Sequence, residues 1–346
     1  MRHNTVSAYL YKAKKQTSPA LKKPLMKTLI IPAFGQKVRK CRFFVLFCLI
    51  IFFRILSAHG QHTDPVKIGI FTDCQYCNCP NSDIRFYSLS TSKLDSCIAV
   101  FNSLPLEAVF HLGDMIDHDI NSYDSVLPRF KKFNAPLHLV LGNHDYMIKN
   151  RYKQGLLNRI GMKDDHYVVD IGNWRFVVLN GDDLSFFAPQ NKKQKQERND
   201  LVYDQYEHLH LNGMIWNGGI GEEQMNWLKD RLDEAERQSL NVIVLCHFPL
   251  FTKDNHNLFN NKEVFHLISD YSCVKAYFNG HYHAGNYSVK KGIHLVNFKG
   301  MVNTTINAFS VVTLTSDSIL IKGYGREPDR RLKIRPSQSL PGVNSK

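Results

Sequence analysis

Short apolar runs alternate with amphipathic stretches along most of this chain. Val66–Phe71 (VKIGIF) has the length and composition of a buried strand. Over Tyr87–Leu104, residues Leu94, Cys97, Ile98, Phe101 and Leu104 recur at three and four positions, which predicts a helix with one apolar stripe. Leu106–Leu112 reads as the next strand, Tyr123–Phe133 as the next helix and Leu137–Leu141 as a third strand. This β-α-β-α-β order at short spacing implies an α/β layered fold with an at least partly parallel sheet.

The pattern then changes. His166–Ile171 and Trp174–Leu179 predict strands joined at Gly172-Asn173, a hairpin signal. Asn191–Asp200 (NKKQKQERND) is polar throughout and reads as a solvated loop within an insertion spanning about 185–217, with a short helix over Tyr203–Leu211. The segment GGIGEEQMNWLKDRLDEAERQ predicts a loop and a helix, with Met225, Leu228 and Leu232 on one face and Trp227 in the core. Asn241–Cys246 and Val274–Asn279 predict strands on either side of a helix at Val264–Ser269. Three more strands follow at Gly292–Phe298, Ala308–Leu314 and Ser318–Gly323. No linker divides this body, so two βα halves are expected to pack sheet against sheet as one domain over 66–334, before a tail at 335–346.

Composition adds a boundary. The chain has 346 residues, 43% hydrophobic and 22% charged, which excludes a disordered polymer and a multi-span membrane protein. Its formal charge of +13 would suggest a nucleic-acid partner. However, residues 1–58 carry 12 Lys and Arg and no acid, while residues 59–346 carry 32 basic against 31 acidic residues. The excess belongs to a leader, so no nucleic-acid partner is expected. Within it, Phe43–Phe53 (FFVLFCLIIFF) is 11 residues long. At about 1.5 Å per residue that falls short of a bilayer of about 30 Å. It matches the apolar core of a secretory signal, with small residues Ser57, Ala58 and Gly60 following. The open readings are export with cleavage, an uncleaved anchor extended by Ile55 and Leu56 past Arg54, or a buried segment, with Met26 as an alternative start. In both membrane readings the body is extracytoplasmic and touches the membrane only through the leader.

Six cysteines lie in the body. Cys74, Cys77 and Cys79 form C-x2-C-x-C, while Cys97, Cys246 and Cys273 are isolated and read as buried thiols. A zinc knuckle would want a second pair. A local disulfide among Cys74–Cys79 fits an exported protein.

The chemistry lies just after the strands. The first ends in Thr72-Asp73-Cys74-Gln75, the second runs into GDMIDH with Asp114, and the third ends in Gly142-Asn143-His144-Asp145. The strand at 241–246 leads directly into His247, and that at 274–279 into Gly280-His281-Tyr282-His283. In α/β sheets the carboxyl ends of strands line a common crevice. Metal-capable groups at five strand ends therefore point to a convergent metal site.

The order D-x-Q … GD … GNHD … H … GHxH resembles the calcineurin-like metallophosphoesterases, whose usual first station is D-x-H. Gln75 there, GGIGEEQMNWL and the C-terminal GYGREPDR are similar to the manganese-dependent ADP-ribose/CDP-alcohol diphosphatase branch, over Val66 to Ile334. The resemblance implies a four-layer α/β/β/α sandwich of two mixed sheets flanked by helices. It implies two divalent ions, Mn²⁺ foremost, with Fe, Zn or Mg as alternatives. One would be held by Asp73, Gln75, Asp114 and His283, the other by Asp114, Asn143, His247 and His281. A shared carboxylate offsets the repulsion of two cations about 3.5–4 Å apart. His144 would assist the leaving oxygen or the transferring phosphoryl, and Asp145 would orient it or cap the following helix. Asp117 and His118 read as loop or supporting residues. Arg326 and Arg330 would hold the second phosphate or else form structural ion pairs, and Arg85 beside the first loop would contact substrate, with Phe86 or Tyr87 as a base-stacking surface.

The implied activity is hydrolysis of the phosphoanhydride of ADP-ribose or a CDP-alcohol by in-line attack of a water activated between the ions. No obligate protein partner is implied. Alternatives are a secreted phosphomonoesterase or phosphodiesterase of the same superfamily, and a non-catalytic binding protein on the same fold. The cysteine-rich first loop, CQYCNCPNSDIRFY, departs from the branch, which carries a longer acidic segment there.

Overall fold

The computed structural model describes residues 65–207 and 213–335. The leader with its apolar run, residues 208–212 of the insertion and the tail after Arg335 lie outside the described residues. The described strands are β1 (Val66–Phe71), β2 (Ala108–His111), β3 (Leu137–Leu139), β4 (Tyr167–Ile171), β5 (Trp174–Val178) and β6 (Asn241–Leu245). They continue with β7 (Val274–Asn279), β8 (Asn286–Lys290), β9 (Ile293–Asn297), β10 (Ala308–Leu314), β11 (Ser318–Gly325) and β12 (Arg330–Lys333). The helices are α1 (Ser90–Asn102), α2 (Tyr123–Phe130), the short α3 (Asn143–Tyr146), α4 (Asn150–Lys153) and α5 (Leu156–Ile160), then α6 (Lys192–Glu207), α7 (Glu222–Arg237) and α8 (Asn261–Ser269).

The strands form two six-stranded mixed sheets, ordered β12-β11-β10-β1-β2-β3 and β4-β5-β6-β7-β9-β8. In the first, β1, β2 and β3 are parallel and β10 returns antiparallel to β1. In the second, β5, β6, β7 and β9 are parallel between antiparallel hairpin edges. Parallel strands covered on both faces need apolar residues of both parities, which is why their sequences read as continuous apolar runs. Ile68 and Ile70 of β1 join Phe176, Val178, Ile243, Leu245 and Phe278 in the core between the sheets. Phe110 and Phe176 meet across that core with ring centroids 4.7 Å apart. On the outer face of the first sheet, Phe71 packs with Leu94, Cys97 and Phe101 of α1. On the outer face of the second, Val177, Val242 and Val244 lie under Leu228 and Leu232 of α7 and Val264 and Ile268 of α8. Each such buried side chain contributes about 1.5–3 kcal/mol. The layers are therefore helix, sheet, sheet, helix, as expected.

Three differences from the sequence reading have local causes. Tyr87–Leu89 is a 3₁₀ turn, and the α-helix begins only at Ser90. The polar run after Asn191 is helical (α6), not a loop. Its start is stabilised reciprocally: Gln194 N–H donates to Asn191 Oδ1 (2.9 Å) and Asn191 N–H to Gln194 Oε1 (3.0 Å). That Asn-x-x-Gln capping box is present in the sequence but followed by no apolar stripe. Finally, β11 runs on to Gly325 and a further edge strand, β12, begins at Arg330, beyond the last strand read from the sequence.

Candidate metal centre

The C-terminal ends of β1, β2 and β3 in one sheet, and of β6 and β7 in the other, bring their polar residues together. The loops after β1 and β2 run side by side, with Asp73 N–H donating to Gly113 O (3.0 Å) and Gln75 N–H to Asp114 O (2.9 Å). Asp73, Gln75, Asp114 and His281 adopt left-handed backbone conformations, with φ of 52°, 41°, 59° and 67°. Each such conformation costs a non-glycine residue on the order of 1–3 kcal/mol and marks a place where surrounding structure dictates side-chain direction. Two glycines make room for this crowding. A Cβ on Gly113 (φ +100°) would lie 2.4 Å from His247 Nδ1, and one on Gly142 would lie 2.3 Å from Asp114 Oδ1.

The resulting cluster is almost wholly removed from solvent: Asp73, Asp114 and His247 are 0% exposed, Gln75 and Asn143 1%. His283 Nε2 lies 3.2 Å from Asp73 Oδ1 and 3.4 Å from Gln75 Nε2. Gln75 Nε2 donates to Asp114 Oδ2 (2.9 Å). His247 Nε2 lies 3.2 Å from Asp114 Oδ2 and 4.0 Å from Asp73 Oδ1. Asp114, His247 and His281 offer ligand atoms within 4.8 Å of one another. Asp114 therefore stands between the two expected groups.

The donor set fits cations. Asp73 Oδ1, Gln75 Oε1, Asn143 Oδ1 and His247 Nε2 are all buried without a hydrogen-bond partner. A buried polar atom left unpaired costs about 1–3 kcal/mol. Four lone-pair atoms orphaned at one place have a common explanation as metal ligands. Each imidazole is also tethered through another nitrogen: His247 Nδ1 to Leu112 O (2.8 Å), His283 Nδ1 to Asn303 Oδ1 (2.8 Å) and His281 Nε2 to Asn217 Oδ1 (3.1 Å). Such partners fix the ring and its tautomer for ligation. Electrostatics agree. Burial would raise the Asp114 carboxyl, but His247, His144 and His281 together hold it well below the usual range. Burial would depress His247, but the Asp114 and Asp73 carboxylates outweigh it and push the imidazole up to about 10, so that its Nε2 proton balances negative charge that a cation would balance once it displaced that proton.

His144 lies outside this ligand set and lines a cleft of about 380 Å³ beside it. Its Nδ1 is 2.8 Å from Asp117 Oδ1, which leaves Nε2 for a ligand in the cleft. Burial opposes a charged His144, yet Asp114 and Asp117 raise its pKa. Asp145 does not orient this imidazole. Its carboxylate accepts from the N–H groups of Gly142, Asp114 and Met115 and from the Tyr123 hydroxyl, at 2.9–3.1 Å. It is a structural clamp that caps α3 and fixes the Asp114 loop, and burial beside Asp114 pushes it up to about 7.

Of the expected phosphate-binding arginines, Arg85 lines the cleft. Arg326 lines an adjoining hollow of about 430 Å³ and spends Nε on Ile306 O (3.1 Å) and Nη2 on Gly300 O. Arg330 lines neither; its Nη1 pairs with the buried Glu327 carboxylate at 2.6 Å. Tyr87 is buried against Cys77 and Val302, and neither it nor Phe86 faces the cleft. Phe187 and Trp216 do, together with His256. The sequence carried no signal for these, since they come from the insertion and from the loop after β6.

The profile of the calcineurin-like phosphoesterases matches residues 66–285. The manganese-dependent ADP-ribose/CDP-alcohol diphosphatase of Mus musculus is 26% identical, over 82% of this chain and 98% of its own length. That of Oryza sativa is 26% identical over 80% and 97%. Among solved structures, a dimetal phosphatase from Danio rerio superposes with a TM-score of 0.71 at 22% identity, covering 79% of this chain and all of that one. A purple acid phosphatase from yellow lupin superposes at 0.53 and 14%, covering 79% and 54%. The strand-end ligand set and the profile match agree: the chain belongs to the calcineurin-like phosphoesterase family.

Proposed function

We propose that this protein hydrolyses the phosphoanhydride of ADP-ribose or of a CDP-alcohol, giving AMP with ribose 5-phosphate, or CMP with a phosphoalcohol. The observation that carries the chemistry is the set of four orphaned, buried ligand atoms at the strand ends. The substrate class is supported by the relatives, which bear that activity in their names and align over nearly their whole length.

Asp73, Gln75, Asp114 and His283 would hold one divalent ion, and Asp114, Asn143, His247 and His281 the other, with Mn²⁺ best suited to this mixed oxygen and nitrogen set. Such a pair supplies Lewis acidity at phosphoryl oxygens and lowers the pKa of a water nucleophile. The chain's own residues do the rest. His144, polarised by Asp117 through Nδ1, presents Nε2 to the leaving phosphate oxygen as negative charge develops there. Arg85 offers a planar fork for the second phosphate. Phe187 and Trp216 give the cleft aromatic walls against which a nucleotide's base would stack.

Export of the body is part of the same reading. It is supported by the basic leader with its 11-residue apolar core and by the Cys77–Cys79 disulfide. The partner in this reading is a small nucleoside diphosphate, and the near-neutral charge of residues 59–346 gives no support to a nucleic-acid partner.

The test is a rate panel on the full chain loaded with Mn²⁺, comparing ADP-ribose, CDP-choline, an aryl phosphate and a bis-aryl phosphate. A kcat/KM advantage of about 100-fold, ~2.7 kcal/mol, for a diphosphate is expected. A comparable preference for the aryl esters would contradict the proposal.

A further inference from the structure

The C-x2-C-x-C motif plays no part in the chemistry above, yet it lies one residue pair beyond it. The loops after β1 and β2 continue as a short ladder past the ligands: Tyr76 N–H donates to Met115 O (3.3 Å) and Asp117 N–H to Tyr76 O (3.1 Å). This register sets Cys77 beside Asp117. Cys77 is disulfide-bonded to Cys79, with their Cα atoms 5.2 Å apart, while Cys74 is a separate buried thiol. The two sulfurs and a carboxylate oxygen of Asp117 all lie within 4.8 Å of one another. Cys77 and Asp117 are buried and Cys79 is half-buried.

We propose that reduction of the Cys77–Cys79 bond creates a third metal site, formed by the two thiolates and the Asp117 carboxylate and selective for a thiophilic divalent ion such as Zn²⁺ or Cd²⁺. Two ligands of one zinc, with Zn–S near 2.3 Å and Zn–O near 2.0–2.2 Å, lie at most about 4.6 Å apart. The three donors, all within 4.8 Å of one another, are close enough to share one ion once breaking the S–S bond lets the sulfurs part to the roughly 3.8 Å that two such bonds set at a tetrahedral angle. Thiolates favour Zn²⁺ and Cd²⁺ over Mn²⁺, which separates this site chemically from the oxygen-rich centre at the strand ends. The redox step is balanced by a dithiol reductant. It gives two electrons and two protons, becomes a disulfide itself, and leaves two thiols whose protons are released when the ion binds.

The site reports directly to His144. Asp117 Oδ1 is the anionic partner of His144 Nδ1 at 2.8 Å while Oδ2 meets His118 Nδ1, so an ion that takes Oδ1 displaces His144 from it. The imidazole then keeps only the neutral carbonyl of Asp117, 3.2 Å from Nδ1. Losing an orienting carboxylate of this kind typically costs about 10–100-fold. The inhibition rests on the role proposed for His144, whereas metal binding at the cysteines does not.

The experiment uses the full chain, loaded with Mn²⁺ and held in excess Mn²⁺. It is reduced with a phosphine, freed of reductant and titrated with Cd²⁺. Ultraviolet thiolate-to-cadmium charge transfer reports the site, and substrate hydrolysis reports its effect. The expected result is one saturable equivalent with a charge-transfer band and a parallel rate loss of about 10–100-fold. Both should be absent in the oxidised protein and in Cys77→Ser/Cys79→Ser, which keeps its basal rate. The single variant Cys79→Ser, changed at the half-buried position, should lose most of the band. No band in the reduced protein, or an undiminished band in the double variant, overturns the site. A band that requires both cysteines but leaves the rate unchanged overturns the link to His144 alone.

Discussion

The two sheets contribute opposite halves of the centre. The first supplies oxygen: Asp73 and Gln75 after β1, Asp114 after β2 and Asn143 after β3. The second supplies nitrogen: His247 after β6, and His281 and His283 after β7. They are also held differently. The oxygen half is aimed by the backbone, with Asp73, Gln75 and Asp114 all left-handed and their loops joined by main-chain hydrogen bonds. Two of the three imidazoles are aimed by side chains, Asn217 behind His281 and Asn303 behind His283. Negative charge is thus fixed by the main chain, while His281 and His283 each depend on a single amide that a mutation can remove. Loss of a carboxylate in the first half should abolish the centre, and loss of a supporting amide in the second should only weaken it.

The largest effect is expected from Asp114→Asn, because that carboxylate belongs to both ion groups. The rate should fall by more than about 10⁴-fold, beyond the usual worth of one acid–base group, and Mn²⁺ affinity should fall with it in a metal titration. Wild-type affinity for both ions would remove Asp114 from the bridging position. Next comes His144→Ala, expected to lower kcat by about 10²–10⁴-fold with metal content unchanged by elemental analysis. Metal loss in that variant would make His144 a ligand. In the nitrogen half, Asn303→Ala should cost about 10–100-fold in Mn²⁺ affinity, and Asn303→Asp should recover much of it. Equal loss in both variants would mean that Asn303 supports the loop and not the imidazole. The smallest effect is expected from Gln75→His, which moves one nitrogen ligand into the oxygen half. Both ions should remain, with a rate change under about tenfold. Loss of one ion would show that the left-handed backbone at 75 admits only the amide.

The candidate ligand residues were legible because they come shortly after apolar runs, so strand prediction and the search for clustered polar groups reinforce each other. The groups that aim them were not. Asn303 lies 20 residues from His283, and Asn217 64 residues from His281, with no local pattern linking either pair. Asp117 looked like the trailing end of the GD loop, and only the fold brings it to His144, 27 residues on. Asp145 next to His144 was the natural partner by sequence, but helix geometry turns neighbouring side chains apart and sends Asp145 into the core. Lys93 shows the same limit. It is 5% exposed, and its Nζ donates to the carbonyls of Met301, Val302, Asn303 and Thr304 at 2.5–3.3 Å, partners more than 200 residues away in sequence. It thereby holds the loop that carries Asn303.

The most direct test is equilibrium titration of the oxidised full chain with Mn²⁺, monitored by electron paramagnetic resonance. Two ions per chain are predicted, with the signal of an exchange-coupled pair appearing as the second binds and failing to appear in Asp114→Asn. Binding of a single isolated ion, or a coupled pair that survives that substitution, would contradict a centre assembled from both sheets around one shared carboxylate.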